Sequence, residues 1–206
     1  MSIAVVVPVR SLAGGKARLA GVLDDETRAA FNTALLAHTL RLAASLSGLE
    51  STFVVSPDPS ARAKAEAVGA ALVDDPDDGL NPAIAAGREA AEKSGFDRIL
   101  ILPIDLPRAM PEDISALASC AASIVIAPDR HGTGTNALCL SAGLAFETRF
   151  GEDSFRAHIA EARHRCATAA IRPDPRLGLD IDTEADWDDW GRTLDRDAWI
   201  RRLGAG

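Results

Sequence analysis

The chain has 206 residues and 47% of them are hydrophobic, so it can bury a substantial core and form a single domain over residues 1–206. Its 30 acidic and 22 basic residues give a formal net charge of -8, which argues against binding to the phosphate backbone of a nucleic acid. An acidic protein that binds small anions must concentrate its few cations locally, so the positions of Lys and Arg carry information.

The cysteines and the N-terminal segment indicate a cytoplasmic protein that does not bind a membrane. Cys120, Cys139 and Cys166 lie far apart and form no Cys-x-x-Cys pair, which is typical of reduced thiols. The apolar segment at residues 3–7 is too short to span a bilayer and lacks the basic start and cleavage site of a signal peptide. We expect it to form a buried strand.

Short β-rich segments alternate with longer Ala- and Leu-rich segments. The strand candidates are Ile3–Val9, Thr52–Val55, Ala70–Val73, Arg98–Leu102, Ser123–Ala127, Ala137–Ser141 and Thr168–Ile171. Their apolar residues are continuous rather than alternating, which indicates a sheet covered on both faces. The pattern predicts an α/β fold, an αβα sandwich with a mostly parallel mixed sheet, in which ligands bind beyond the carboxyl ends of the strands.

Apolar spacing predicts a long helix over Asp25–Leu46, and prolines after polar residues predict helix starts near Pro59, Pro82 and Pro111. Further helices are expected over Asp153–Arg165 and from a Thr183 cap through Leu194, where Thr183 and Asp186 have the spacing of a capping box. The spacing of the late tryptophans favours core packing of a terminal helix over a stacking platform. They are Trp187, Trp190 and Trp199.

The loop after the first strand contains two glycines followed by two cations. Gly14 and Gly15 allow backbone N–H groups to approach phosphates, and Lys16 and Arg18 supply positive charge. The segment is neither a Walker A loop nor a Gly-x-Gly-x-x-Gly motif. It predicts a triphosphate cradle, and the alternative is a flexible loop with solvated charges.

Carboxylates follow two later apolar segments. Asp105 lies between two prolines after a buried strand, and Asp180 and Asp182 are two residues apart, so an extended backbone would point both to one side. Magnesium prefers a few carboxylates together with phosphate oxygens. These residues are candidate metal ligands, and the alternatives are a turn-former, a solvated acid and a residue that precedes a helix.

Two further loops are rich in polar groups. Asp78 could accept hydrogen bonds from a guanine edge or form a plain turn, and Asn81 could cap a helix or bind a base or ribose. The Gly- and Thr-rich segment 127–136 and the helix start near Ser154 could surround an anion, or form a polar hairpin and a simple cap. His158 falls in a helical pattern and is expected to be structural or solvent-facing.

Five segments in this order resemble the guanylyltransferase family of coenzyme F-420 biosynthesis. The segments are Val7–Leu19, Gly79–Asn81, Leu102–Pro107, Pro128–Asn136 and Phe150–Phe155. The sequence departs from many relatives by Arg10 in place of Lys, and by Ile104 in place of a small Gly before Asp105.

The resemblance implies a nucleotidyltransferase fold of the nucleotide-diphospho-sugar transferase type and transfer of GMP from GTP to a small phosphorylated acid. It implies Lys16 and Arg18 as catalytic residues, GTP near the Gly-Gly loop, the acid near the helix start, and Mg²⁺. The nucleotide-binding residues would be Arg10, Gly14, Gly15, Lys16, Asp78 and Asn81, the substrate-binding residues Thr135, Gly151 and Ser154, and the metal ligands Asp105, Asp180 and Asp182. A downstream deazaflavin transferase would take the labile product.

Other functions stay open. The chain could be another nucleotidyltransferase, a glycosyltransferase that uses Asp180 and Asp182 with a nucleotide sugar, or a nucleotide-binding domain without catalysis. The acceptor could be 2-phospho-L-lactate, phosphoenolpyruvate or 3-phospho-D-glycerate. A homodimer is also left open.

Overall fold

The computed structural model describes residues 2–192 and 194–204, in which strands and helices alternate. The strands are β1 (Ile3–Pro8), β2 (Thr52–Val55), β3 (Ala71–Val73), β4 (Arg98–Ile101), β5 (Ile124–Pro128), β6 (Thr135–Ser141) and β7 (Ala169–Ile171). The helices are α1 (Asp25–Ser47), α2 (Pro59–Ala67), α3 (Leu80–Lys93), α4 (Pro111–Ala118), α5 (Ser154–His164), α6 (Glu184–Gly191) and α7 (Arg196–Gly204). All seven predicted strands are therefore present.

The strands form one sheet in the order β3-β2-β1-β4-β6-β5-β7. Strand β6 runs antiparallel to both β4 and β5, and the other pairs are parallel. The predicted mixed, mostly parallel sheet is confirmed. Because β6 is reversed, its first residues lie at the edge where the parallel strands end.

Side chains of β1 alternate between two hydrophobic clusters. Val5 and Val7 pack with residues of α1, α2 and α4 on one face of the sheet. Ala4 and Val6 pack with residues of α3 and α5 on the other face. All four side chains are fully buried, which explains why the strand reads as a continuous apolar segment. The αβα sandwich is confirmed.

A third cluster lies beyond the sheet and surrounds Phe31 of α1. The rings of Trp187, Trp190 and Trp199 lie 5.0 to 6.2 Å from the Phe31 ring, so the predicted core role of the tryptophans is confirmed. Two alternate residues of the preceding segment, at positions 179 and 181, also bury their side chains in this cluster. The cluster thereby anchors the segment that carries two of the predicted metal ligands.

Two possible helix caps are not caps in the structure, and one predicted helix end was wrong. Helix α3 begins at Leu80 with Gly79 as its N-cap, so Asn81 does not cap it. Helix α5 begins at Ser154 with Asp153 as its N-cap, so Ser154 is not a cap either. Helix α6 ends at Gly191, before the predicted end at Leu194. In both α3 and α5 the N-cap residue has a positive φ angle. The presence of Asn81 or Ser154 nearby in the sequence does not predict that backbone conformation.

The predicted capping box of α6 is confirmed, since Thr183 and Asp186 each bond the other's backbone N–H. The carboxylate of Asp58 caps α2 as the proline at its first position suggested. None of the helices in residues 2–192 and 194–204 combines the length and the apolarity that a membrane crossing requires.

Gly87 allows α3 to pack closely on the sheet. A Cβ atom at this position would lie 2.5 Å from a methyl carbon of Val6 and 2.8 Å from one of Val55. Both valines are fully buried, so neither can move without disturbing the sheet. The contact fixes the height of α3 above β1 and β2.

We expect Gly87→Ala to lower the free energy of unfolding by about 1–3 kcal/mol, although alanine favours helices, because the added methyl overpacks the core. Urea unfolding would measure the change. The matched variant is Ala85→Gly at an exposed position of the same helix, where only helix propensity acts and the loss should be about 1 kcal/mol. Stabilisation by Gly87→Ala would contradict the close packing.

Candidate functional site

The predicted site residues lie on loops that leave one edge of the sheet. The loops after β1 and β4 begin at the carboxyl ends of parallel neighbours. The reversed strand β6 begins at the same edge, because it pairs with β4 in the antiparallel sense. This is the edge at which open α/β sheets bind ligands.

The loop after β1 is held by side chains from two helices. The carboxylate of Asp58 accepts a hydrogen bond of 2.6 Å from the backbone N–H of Leu12. The buried amide of Asn32 donates to the Leu12 carbonyl at 2.8 Å. At Gly15 an added Cβ atom would lie 2.8 Å from the Asn32 amide nitrogen, so this position requires glycine. The loop is thus a packed structure and not the flexible loop of the alternative interpretation.

Lys16 ends this loop in a left-handed conformation with φ 57°. Its side chain is only 8% exposed, and its ammonium donates to the Ile181 carbonyl at 2.6 Å. The same ammonium is 3.2 Å from a carboxylate oxygen of Asp182. The structure therefore joins the glycine loop to the segment that carries Asp180 and Asp182, about 165 residues later in the chain.

The three predicted metal ligands come together. One carboxylate oxygen from each of Asp105, Asp180 and Asp182 lies within 4.8 Å of the others. The backbone N–H of Ile181 donates to the Asp105 carbonyl at 3.1 Å and joins the two loops. Ile181, which lies between Asp180 and Asp182 in the sequence, points into the hydrophobic cluster around Phe31. Asp180 and Asp182 therefore face the other side together, as predicted.

The pKa of Asp105 is raised to about 6, chiefly by burial; Lys16 opposes the rise, and the carboxylates of Asp182 and Asp180 add to it. Burial also raises the pKa of Asp180, against the hydrogen bond from Asn136. Three clustered acids with one ammonium leave excess negative charge, and carboxylate oxygens are the donors that hard divalent cations prefer. The donor set fits magnesium, and metal binding stays a prediction.

The sequence analysis did not identify the side chains that hold the three acids in place. The amide of Asn136, the second residue of β6, donates to Asp180 at 3.1 Å and to the Leu177 carbonyl at 2.9 Å. Asp186 accepts from the backbone N–H groups of Asp182 and Thr183, at 3.2 and 2.8 Å. The other Asp186 oxygen accepts from a nearby arginine, Arg130. The capping-box spacing revealed Asp186 as a helix cap but not as a support of the acidic loop.

A cleft of about 330 Å³ opens between the glycine loop and the acids. Its lining includes Arg10, both loop glycines, Lys16, Asp105 and Asp182. This volume is within the range of small-molecule sites. The other predicted site residues do not line this cleft, and Arg18 and Asp78 among them are exposed. The remaining five are Asn81, Thr135, Gly151, Ser154 and Asp180. A smaller cavity beside Arg10 is lined by Asp75 and not by Asp78.

The side chain of Asn81 connects α3 to the loop before α5. Its amide nitrogen donates to the Phe150 carbonyl at 2.9 Å, and its oxygen accepts from the Phe150 N–H at 2.7 Å. Both ends of the amide are therefore used within the protein. Direct contact between Asn81 and a nucleotide stays a prediction.

The predicted acceptor-binding residues also come together. Thr135, the first residue of β6, donates its backbone N–H to the Ser154 hydroxyl at 2.9 Å. Both side chains are buried, and Gly151 lies on the exposed turn before α5 with φ 124°. The Ser154 N–H donates to the Gly151 carbonyl at 3.2 Å, so hydrogen bonds through Ser154 connect Thr135 to the turn that contains Gly151.

The loop before β6 does not present its donors to a ligand as predicted. The carboxylate of Asp129 accepts from the N–H groups of His131 and Thr133 and from the Thr133 hydroxyl, at 2.8 to 3.1 Å. Gly134 contributes its carbonyl to the N–H of Asp129. The Asp129 side chain therefore occupies the position that an anion would take in this loop, which favours the polar hairpin among the two interpretations of the segment.

A groove of about 170 Å³ between α1 and α2 is a second depression of the surface. Its walls are almost wholly apolar side chains such as Leu36, Leu40 and Val68, with Arg41 and Lys64 at its margin. It lacks the converging polar groups of a catalytic site.

Residues 3–191 match the family model described as guanylyl transferase, CofC-like. The chain belongs to this family. It is 38% identical over 189 residues to a phosphoenolpyruvate guanylyltransferase of Rubrobacter xylanophilus, a match that covers 90% of this chain and 92% of the relative. A protein of the same name from Sphaerobacter thermophilus is 37% identical, with 90% and 91% covered. The predicted enzyme class, nucleotidyltransferase, is confirmed.

Solved structures share the fold of this CofC-like chain. A Desulfovibrio desulfuricans G20 protein with the provisional description of nucleotide-diphospho-sugar transferase has a TM-score of 0.77 and 17% identity, with 98% and 99% of the chains covered. A CMP:2-keto-3-deoxy-manno-octonic acid synthetase complexed with CTP has a TM-score of 0.63 and 13% identity, with 98% and 100% covered. The predicted fold type is confirmed.

We expect Asp105→Asn to stabilise the protein near pH 8 by about 1–3 kcal/mol. Because the folded-state pKa of Asp105, about 6, is above its usual 3.8, the folded protein binds the proton more tightly and loses stability as the pH rises through this interval. The gain from the substitution should therefore disappear near pH 4. Urea unfolding at both pH values measures the change in the free energy of unfolding. The control is Asp182→Asn, which should not stabilise the protein, because this side chain is 50% exposed and pairs with Lys16.

Proposed function

We propose that this CofC-like protein transfers GMP from GTP to phosphoenolpyruvate and releases pyrophosphate. The observation that carries the proposal is the contact of Lys16, at the end of the glycine loop, with the segment that holds Asp180 and Asp182. A single cleft is thus lined by the glycine loop, by Lys16 and by two of the three clustered carboxylates, Asp105 and Asp182. The names of the relatives support GMP transfer and this acceptor.

The triphosphate would lie along the glycine loop. Gly14 and Gly15 bring backbone into the cleft without side chains, and Arg10 and Lys16 place positive charge on its wall. Lys16 retains donor capacity beyond its two bonds, because an ammonium has three N–H groups. Arg18 is exposed and does not line the cleft, so it could contact a phosphate only where the ligand extends out of the cleft.

Magnesium would be held by Asp105, Asp180 and Asp182. When bound, it would neutralise charge on the triphosphate and on the carboxylates. Asn136 and Asp186 would keep two of the three acids in place through the hydrogen bonds described above. The acceptor acid would lie near Thr135, Gly151 and Ser154, which share the same edge of the sheet.

In the proposed reaction a phosphate oxygen of the acceptor attacks the α-phosphorus of GTP. A new phosphoanhydride bond forms, the bond to the β-phosphate oxygen breaks, and pyrophosphate leaves with the electron pair. No covalent enzyme intermediate and no redox partner are required. The protein contributes position and charge, since two anions must approach each other.

The product would be a labile phosphoanhydride, so we infer that it is consumed by an enzyme that attacks it with a hydroxyl or phosphate group. In the pathway of coenzyme F-420 this partner would be the transferase acting on a deazaflavin precursor. Such a pathway position supports phosphoenolpyruvate, 2-phospho-L-lactate or 3-phospho-D-glycerate as the acids to be compared.

We expect Lys16→Ala and Asp105→Ala each to lower pyrophosphate release by at least about 100-fold, because each removes charge that stabilises the transition state. Release would be followed in a coupled phosphate assay with GTP, magnesium and phosphoenolpyruvate. The matched control is Lys93→Ala, which removes an exposed lysine of α3 that pairs with Glu89 in the same helix. Full activity of either site variant, with folding verified by circular dichroism, would remove these residues from the mechanism.

We expect phosphoenolpyruvate to give the highest kcat/KM when the three acids are tested separately with GTP. The deazaflavin precursor and its transferase would trap the product, and its mass would identify the acid. Release of a nucleoside diphosphate from a sugar nucleotide, without pyrophosphate from GTP, would instead favour the glycosyltransferase alternative. GTP binding without turnover on any acid would favour a domain without catalysis.

A further inference from the structure

His158 lies behind the predicted acceptor side, where a ligand cannot touch it. The side chain is 0% exposed and packs against the rings of Phe146 and Phe150, at 5.8 and 5.0 Å between ring centres. Its two ring nitrogens contact different parts of the protein. Nδ1 lies 2.9 Å from the hydroxyl of Thr135, and Nε2 lies 3.0 Å from the backbone nitrogen of Arg149.

These two contacts determine where the imidazole carries its proton. The backbone N–H of Arg149 can only donate, so Nε2 of His158 must accept with its lone pair. Burial lowers the pKa of His158 to about 4, so the ring is neutral and carries one proton. That proton is therefore on Nδ1, which donates to the Thr135 hydroxyl oxygen.

The donors beside Thr135 and Ser154 determine which hydrogen bonds their buried hydroxyls accept and which they can donate. The oxygen of Thr135 accepts from His158, and the oxygen of Ser154 accepts from the Thr135 backbone N–H. A hydroxyl has one hydrogen, and within residues 2–192 and 194–204 neither hydrogen is donated to a protein acceptor. Each group thus keeps its O–H as a donor, which is the polarity that a bound anion requires.

We propose that His158 is a positioning residue, which fixes the Thr135 hydroxyl as a hydrogen-bond donor to the anionic group of the acceptor acid. This inference rests on the proposed function and names a residue that acts through Thr135 without touching substrate. His158 also holds the Arg149 backbone, next to the turn that contains Gly151. One buried ring thereby aligns two of the three predicted acceptor contacts.

The first test is the tautomer of His158, which does not depend on activity. Two-bond ¹H–¹⁵N spectra of the full-length protein, with the ring signals assigned by their loss in His158→Gln, should show a neutral ring protonated on Nδ1 from about pH 6 to 8. A ring protonated on Nε2, or a positively charged ring in this interval, would overturn the inference whatever reaction the enzyme catalyses.

The second test separates the two ring nitrogens by substitution. In His158→Asn the side-chain N–H can occupy the position of Nδ1 and keep the bond to Thr135, whereas in His158→Gln the amide reaches the position of Nε2. We expect the glutamine variant to raise KM for phosphoenolpyruvate about tenfold or more, the value of one hydrogen bond to a charged group, and the asparagine variant to raise it less than about threefold. KM for GTP should stay within about twofold in both.

The matched control is His38→Gln, which alters a different histidine. His38 is partly buried, bonds the backbone carbonyl of Ala109 and packs on Trp199. It should leave KM for phosphoenolpyruvate unchanged. Equal increases in the two His158 variants, or parallel increases in KM for both substrates, would indicate a general structural role and overturn the proposal. If the wild-type protein turns over none of the three acids with GTP, the proposed function fails, and the tautomer measurement still decides the role of His158.

Discussion

Three carboxylates that share a space of 4.8 Å repel one another, and much of the structure around the cleft opposes that repulsion. Asp105, Asp180 and Asp182 are held by a backbone bond between their loops, an amide and a nearby ammonium. Apolar residues on either side of Asp180 insert into a tryptophan-lined cluster, so hydrophobic burial helps to offset the cost of clustered charge. The pKa of Asp105 stays raised, mainly because the carboxyl is buried and in smaller part because Asp182 and Asp180 are close to it.

Lys16 gives this arrangement its link to the glycine loop. Because its ammonium contacts the acidic segment, the position of the loop and the position of the acids cannot vary independently. Asn32 and Asp58 fix the other end of the loop from two helices. Such a rigid arrangement of opposite charges is suited to a reaction between two anions, since the groups need no reorganisation when charge develops.

The reversal of β6 brings the acceptor side to the same edge. Successive residues of a strand point to opposite faces, so Thr135 meets α5 while Asn136 meets the acidic segment. One strand end therefore serves both sides of the site. A parallel strand at this position would have presented its amino end at the opposite edge, and neither contact could form.

The sequence by itself determined the strands, the long first helix and the order of β and α elements, because continuous apolar segments and helical spacing are local properties. It also indicated Lys16 and the three aspartates as candidates for a phosphate and metal site, and the resemblance to the guanylyltransferase family joined them into one set. The supports of that set depended on tertiary structure. Asn136 reaches Asp180 across 44 residues, Asn81 reaches Phe150 across 69, and Thr135 meets His158 across 23. No local pattern encodes these pairs. Only the folded sheet, with its one reversed strand, decided which polar side chains met each other and which, such as Asp78, stayed in solvent.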